Sequence, residues 1–260
     1  MKNIAICFCF CVFFILASFH PIGVKSYKID KIVIDPGHGG RDPGTHGAIS
    51  QEKNIALKIS LELSRIIKEN LPDVEVIMTR EADNYPELHE RAKLANKEGA
   101  DLYISLHANW VSNPRIHGTE TYVMGVKNIG RNFEVAKREN SVIYLEEDYE
   151  TKYGGFDPEA PESYMIFTLT QSAFQERSLR LAELVENQFQ NRVGRKSLGV
   201  KQSSLYVLWS TAMPSILVEV GYLSNPKEER ELNDPLNQVY IASGIFRAFR
   251  DYKLEMESMN

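Results

Sequence analysis

Short runs of contiguous apolar residues alternate along this chain with stretches whose apolar positions recur every three or four residues. Lys31 to Asp35 carries Ile32, Val33 and Ile34 in a row and is broken by Pro36-Gly37. Such a run suits a central strand covered on both faces. From Glu52 to Asn70, Ile55, Ile59, Leu63 and Ile66 fall at helical spacing. The pattern then predicts a strand over Val74 to Met78, a helix over Pro86 to Glu98, and strands over Asp101 to Leu106 and Thr119 to Met124. Helical spacing returns over Ala173 to Phe189, followed by expected strands at Leu205 to Trp209 and Ser215 to Val220. A last helix is expected over Pro235 to Tyr252. This alternation predicts one α/β domain over residues 27–255, a mostly parallel twisted sheet flanked by helices on both faces. The stretch 126–170 breaks the alternation. A connection that long marks an inserted regulatory or mobile segment.

Composition narrows the function. The chain has 260 residues, 43% hydrophobic and 25% charged, with a formal net charge of −5. That balance is ordinary for a globular protein. With no basic stripe interleaved with aromatics, it excludes nucleic acid as the main partner. Lys2 is followed by an almost wholly apolar run from Ile4 to Phe19, the pattern of a secretory signal. Residues 1–26 are expected to be a signal peptide, and the rest to be exported to the periplasm or cell envelope. Cys7, Cys9 and Cys11, the three cysteines of the chain, all lie in that segment. The exported part therefore has no disulfide, and any metal must be held by histidine and carboxylate.

His38 and His107 each stand just beyond the carboxyl end of an expected strand, where open α/β sheets bind ligands. The glycines around His38 do not make a phosphate loop. Gly37-x-Gly39 runs on to Asp42 where the dinucleotide fingerprint needs glycine, and no Gly-Lys-Ser/Thr follows. Asn109 and Asp35 are placed to orient the two rings. A third ligand is needed. Glu52 is one candidate, although a glutamate in a first helical turn also complements the helix dipole. His46, His89 and His117 are the others, His46 being nearest in sequence. Glu219 interrupts the apolar run Ile216-Leu217-Val218 and Val220, and a charge there is costly unless paired or used. It is the expected general base. Two histidines, a carboxylate and a base predict a metal-assisted hydrolase.

These residues sit in a longer set of ordered blocks. They include Ile34-Asp35-Pro36-Gly37-His38-Gly39-Gly40, Glu52-Lys53, Thr79-Arg80, Leu88-x-x-Arg91, Ser105-Leu106-His107-Ala108-Asn109, Gly118-Thr119-Glu120 and Val218-Glu219-Val220-Gly221-Tyr222. In them the chain resembles the zinc-dependent N-acetylmuramoyl-L-alanine amidases, which cut bacterial peptidoglycan. The resemblance implies one Zn2+ per chain, held by His38, Glu52 and His107, with Glu219 catalytic. It implies hydrolysis of the amide between N-acetylmuramic acid and L-alanine, for cell separation or wall turnover, by a monomer. Arg80 and Arg91 become candidates either for contacts to substrate carboxylates or for structural ion pairs, and Asn109 a candidate contact for substrate or for a ligand ring. Regulated relatives cover the active site with a segment at the place of the insertion. Glu146, Glu147 or Asp148 is then the expected occluding carboxylate, and an activator protein acting on 126–170 is expected. A zinc peptidase acting within the stem peptide and a wall-binding pseudoenzyme are the competing readings.

Overall fold

The computed structural model describes residues 27–125, 131–168 and 174–259. The expected signal peptide at 1–26 lies outside the described residues. The chain begins with β1 (Lys31–Pro36), α1 (Glu52–Asn70), β2 (Glu75–Met78), α2 (Leu88–Glu98), β3 (Leu102–Asn109) and β4 (Thr119–Met124). The inserted segment then holds α3 (Arg131–Asn140), a 3-10 turn at Ser141–Leu145, α4 (Tyr149–Lys152) and a second 3-10 stretch at Pro161–Thr168. The remainder is α5 (Gln175–Gln188), β5 (Ser197–Ser203), α6 (Tyr206–Trp209), β6 (Ser215–Tyr222), α7 (Pro226–Asn233) and α8 (Pro235–Ser258).

Six strands form one sheet in the order β2-β1-β3-β6-β4-β5. All neighbouring pairs are parallel except β4 with β6. The side-chain period of two sorts each central strand between two cores. Ile32, Ile34, Ile104 and Val218 face one layer, packed with Ile55, Ile59 and Leu63 of α1, Leu181 and Val185 of α5, and Ile245, Phe249 and Tyr252 of α8. Val33, Tyr103, Tyr122 and Leu217 face the other, with Leu88 and Ala95 of α2, Val135 and Ala136 of α3, and Val207 and Leu208 of α6. The mostly parallel α/β architecture is as the sequence predicts.

Two elements differ. Leu205 to Trp209 was expected as a strand, but Tyr206–Trp209 is a single helical turn, and the strand is Ser197–Ser203 just before it. A five-residue apolar run does not distinguish a buried turn of helix from a strand. The half-buried edge strand Ser-Leu-Gly-Val-Lys-Gln-Ser carries no strong alternation. The insertion also differs from an irregular connection. Phe156 packs edge-to-face on Tyr164 and Phe167 at 5.2 and 5.3 Å, and Phe167 meets Trp209 at 5.0 Å. These aromatics extend the second core.

Candidate metal centre

Parallel pairing sets Pro36 beside Leu106 and His107 beside Glu219, so β1, β3 and β6 end side by side. The site sits at these carboxyl ends. His38 follows β1 in a tight loop closed by reciprocal backbone bonds between Gly39 and Asp42. Its φ of 60° is left-handed, a conformation that costs a non-glycine residue on the order of 1 kcal/mol. Gly37 has no room for a side chain, since a Cβ there would lie 2.4 Å from the His107 ring. Arg80 donates to the carbonyls of Pro36, Gly37 and Lys53, and Arg91 to those of Pro36 and His38. Both arginines are buried beneath the loop. The expectation that they meet substrate carboxylates is corrected: their donors face backbone carbonyls, and Arg91 also pairs with Asp35 at 2.8 Å. Asp35, expected near a histidine ring, lies below with Arg91, Thr79 and Ser105. Burial alone would raise its carboxyl, but Arg91 and these hydroxyls hold it well below the usual range.

The His38 ring is oriented instead by Asp42, whose Oδ2 lies 2.6 Å from Nδ1. This turns Nε2 towards Glu52 Oε1 at 3.1 Å. His107 Nδ1 lies 3.0 Å from the same oxygen. Glu52 opens α1 fully buried, and the Ala108 and Thr45 N–H groups donate to its two oxygens. The structure thus gathers His38, Glu52 and His107. His46 and His117 are exposed outside the cluster. His89 lies near Glu87 and Glu146 instead.

A fourth side chain joins them. Glu139, in the last turn of α3, brings Oε2 to 3.1 Å from His107 Nδ1 and 3.4 Å from His38 Nε2. One ligand atom from each of the four residues lies within 4.8 Å of the others. His38 Nε2 and Glu139 Oε2 are buried without a hydrogen-bond partner. Orphaned imidazole and carboxylate atoms converging in this way fit a divalent cation with nitrogen and oxygen ligands. The electrostatics agree. Burial disfavours a charged His107, yet Glu139 and Glu52 beside it prevail and push it up to about 9. His38 is likewise raised, with Glu52, Asp42 and Glu139 outweighing burial.

Glu219 is fully buried next to His107, and neither of its oxygens makes a hydrogen bond. Its nearest cation is Arg138 Nη2 at 3.6 Å. Burial, reinforced by Glu139 and Glu52, raises its carboxyl well above the usual range against the opposing pull of Arg138 and His107. Asn109 is also fully buried, donating to Glu120 and accepting from Arg138.

The acidic trio expected to reach the metal does not do so. Glu147 and Asp148 are exposed. Glu146 is buried elsewhere, accepting from Tyr85 and Tyr153 hydroxyls and from the Leu88 N–H that opens α2. Glu139 stands where the trio was sought. The signal for it is local: Val135, Ala136, Glu139 and Asn140 share one buried helical face.

The comparisons with known proteins agree with this geometry. The profile of the N-acetylmuramoyl-L-alanine amidase family matches residues 32–251. N-acetylmuramoyl-L-alanine amidase AmiA of Escherichia coli (strain K12) is 30% identical over 237 residues, covering 89% of this chain and 79% of that protein. Among solved structures, the catalytic domain of CwlV, an N-acetylmuramoyl-L-alanine amidase from Bacillus (Paenibacillus) polymyxa var. colistinus, superposes with a TM-score of 0.64. It shares 29% identity and covers 87% of this chain and 99% of that one. The CwlD amidase from Clostridioides difficile, solved in complex with the GerS lipoprotein, shares the fold at a TM-score of 0.63 and 24% identity, over 86% of this chain and 98% of that one. The chain belongs to the N-acetylmuramoyl-L-alanine amidase family. Its substrate is peptidoglycan, and its reaction is hydrolysis of the amide joining N-acetylmuramic acid to L-alanine.

Proposed function

We propose that this amidase works with Zn2+ held by His38, Glu52 and His107, that Glu219 moves the proton, and that α3 keeps the enzyme latent. When bound, zinc supplies a Lewis acid that activates water and polarises the scissile carbonyl. Glu219 takes the water proton and delivers it to the departing L-alanine nitrogen. The Glu219 carboxyl is fully buried beside His107 with neither oxygen hydrogen-bonded, which leaves both oxygens free for that transfer. Asp42 and the Ala108 and Thr45 N–H groups fix His38 and Glu52 in the orientation the metal needs.

Latency is carried by one observation, the approach of Glu139 Oε2 to His38 Nε2 and His107 Nδ1. A catalytic zinc site needs an open coordination position, and a carboxylate in that position closes it. The decisive comparison is Glu139→Ala against the parent, both zinc-loaded, in release of soluble peptide from labelled sacculi. Withdrawing the blocking ligand should raise release at least about tenfold. Equal release at one zinc per chain would overturn latency while leaving the amidase assignment intact.

The remaining proposals concern context. The protein is exported to the periplasm or envelope, where its substrate lies, and acts as a monomer in cell separation or wall turnover. An activator protein that binds the 126–170 insertion and draws α3 away would start hydrolysis. That another amidase of this fold forms a complex with a lipoprotein supports a partner of this kind.

A further inference from the structure

The Arg138 guanidinium contacts more than the carboxylate beside it. Its Nε donates to Glu139 Oε1 at 3.0 Å, Nη1 to the Trp110 carbonyl at 3.2 Å, and Nη2 to Asn109 Oδ1 at 3.1 Å. Nη2 also stands 3.6 Å from Glu219 Oε1. Three acceptors of the permanent scaffold are thus covered by one planar array of N–H groups carried on a removable helix. Asn109 and Glu219 are fully buried, and the Glu219 oxygens lack any hydrogen bond. When the guanidinium leaves, the Trp110 carbonyl loses its Arg138 donor and Asn109 Oδ1 keeps the Trp110 N–H alone, so each has an acceptor lone pair open to a new donor.

The orientation of Asn109 is itself fixed. Its Nδ2 donates to Glu120 Oε2 at 3.4 Å, and its Oδ1 accepts the Trp110 N–H at 2.7 Å. A flipped amide would set oxygen against the Glu120 carboxylate and NH2 against an N–H donor. Glu120 is fully buried, is held by the Tyr122 hydroxyl at 2.9 Å, and pairs directly across from Glu219 where β4 meets β6. The scaffold therefore presents two acceptors, Asn109 Oδ1 and the Trp110 carbonyl, alongside the expected base.

We infer that Asn109 Oδ1 and the Trp110 carbonyl, beside Glu219, form a subsite for backbone N–H donors of the stem peptide, and that Arg138 occupies it while α3 is seated. This rests on the amidase reading. The leaving nitrogen must reach Glu219 to receive its proton, so the peptide side of the substrate passes these two acceptors. Its next N–H, that of the residue after L-alanine, is the donor the subsite takes. Glu120 is the positioning residue that keeps Asn109 turned outward.

The first arm of the test changes the substrate, so both readings come from the same folded protein. Zinc-loaded Arg138→Ala/Glu139→Ala protein, which lacks both covering side chains, is given a muramoyl peptide and its analogue in which the N–H after L-alanine is replaced by an ester oxygen. Loss of one hydrogen bond to a buried acceptor should lower kcat/KM about tenfold. Adding Asn109→Ala should lower kcat/KM for the parent substrate, chiefly through KM, and shrink the preference to about twofold or less. Equal turnover of both substrates by the double variant, or an undiminished preference after Asn109→Ala, would overturn the subsite. Failure to cut either substrate, with zinc bound, would overturn the amidase reading and the subsite with it.

Discussion

The sheet-end cluster and the inserted segment that packs over it are held in different ways. His38, Glu52 and His107 are fixed by backbone: a strand end, a tight loop whose carbonyls meet Arg80 and Arg91, and N–H groups aimed at Glu52. The insertion is held mainly by side chains. Asn140 bridges the Ser204 carbonyl and the Tyr206 N–H, Glu146 caps α2, and Arg138 covers Asn109 and Trp110. Its aromatic cluster packs on Tyr206 and Trp209 of one short helix. A scaffold fixed through its main chain cannot be released piecemeal. A segment fastened by a few side chains over an intact sheet can lift as a unit, and low-stability units of this kind are where regulatory motion is found.

That contrast can be attacked from either side. The largest expected effect is on the scaffold: Glu219→Gln, in the Glu139→Ala background, should cut sacculus digestion about a thousandfold. Elemental analysis should still give the same zinc content, because Glu219 lies outside the four-residue cluster. A comparable fall in zinc would show that it acts on the metal instead. Next comes Asp35→Asn, which leaves Arg91 buried without its counter-charge and should cost about 3–5 kcal/mol by denaturant unfolding. Its pH dependence has a definite sign. The folded Asp35 carboxyl is depressed, so its stabilisation is present above the unfolded value of about 3.9 and is lost as pH falls below it. The parent should lose stability on acidification below about pH 4, and Asp35→Asn should lose less over the same range, as followed by Tm. The smallest effect is on the insertion. Glu146→Ala removes its fastening to α2 and should raise activity about two- to fivefold while faster amide exchange is confined to residues 131–168. Uniformly faster exchange across β1 and β3 would show that insertion and sheet unfold together, and the contrast would fail.

Sequence pattern and structure part company along the same line. Strands β1, β3 and β6 are legible from short contiguous apolar runs because burial on both faces keeps most polar residues out of them, whereas β4 reads Thr-Glu-Thr before its apolar Tyr-Val-Met. Glu52, a first-turn glutamate that also suits a helix dipole, is singled out only by the family resemblance; Glu219 is legible because it is a charge where charge is expensive. Asp42 is not, since an aspartate in a glycine-rich loop looks like ordinary turn chemistry until the loop folds back on His38. Glu139 is hidden for a different reason. Its partners lie 32 and 101 positions away, and only the docking of α3 on the second core brings them together. Nothing in the run Arg138-Glu139-Asn140 outranks the more conspicuous Glu146-Glu147-Asp148, whose first member turns out to fasten the segment.

Arg138 and Glu139 are consecutive, and both stand in the final turn of α3, the part of a helix that frays most readily. One side chain blocks the ligand cluster while its neighbour covers the peptide acceptors, so unwinding a single turn would uncover both together. Unwinding that turn in the unaltered chain would then not open one half of the site without the other. Asn140, bonded through both ends of its amide at the foot of that turn, holds against such unravelling alongside Glu146 and the aromatic cluster.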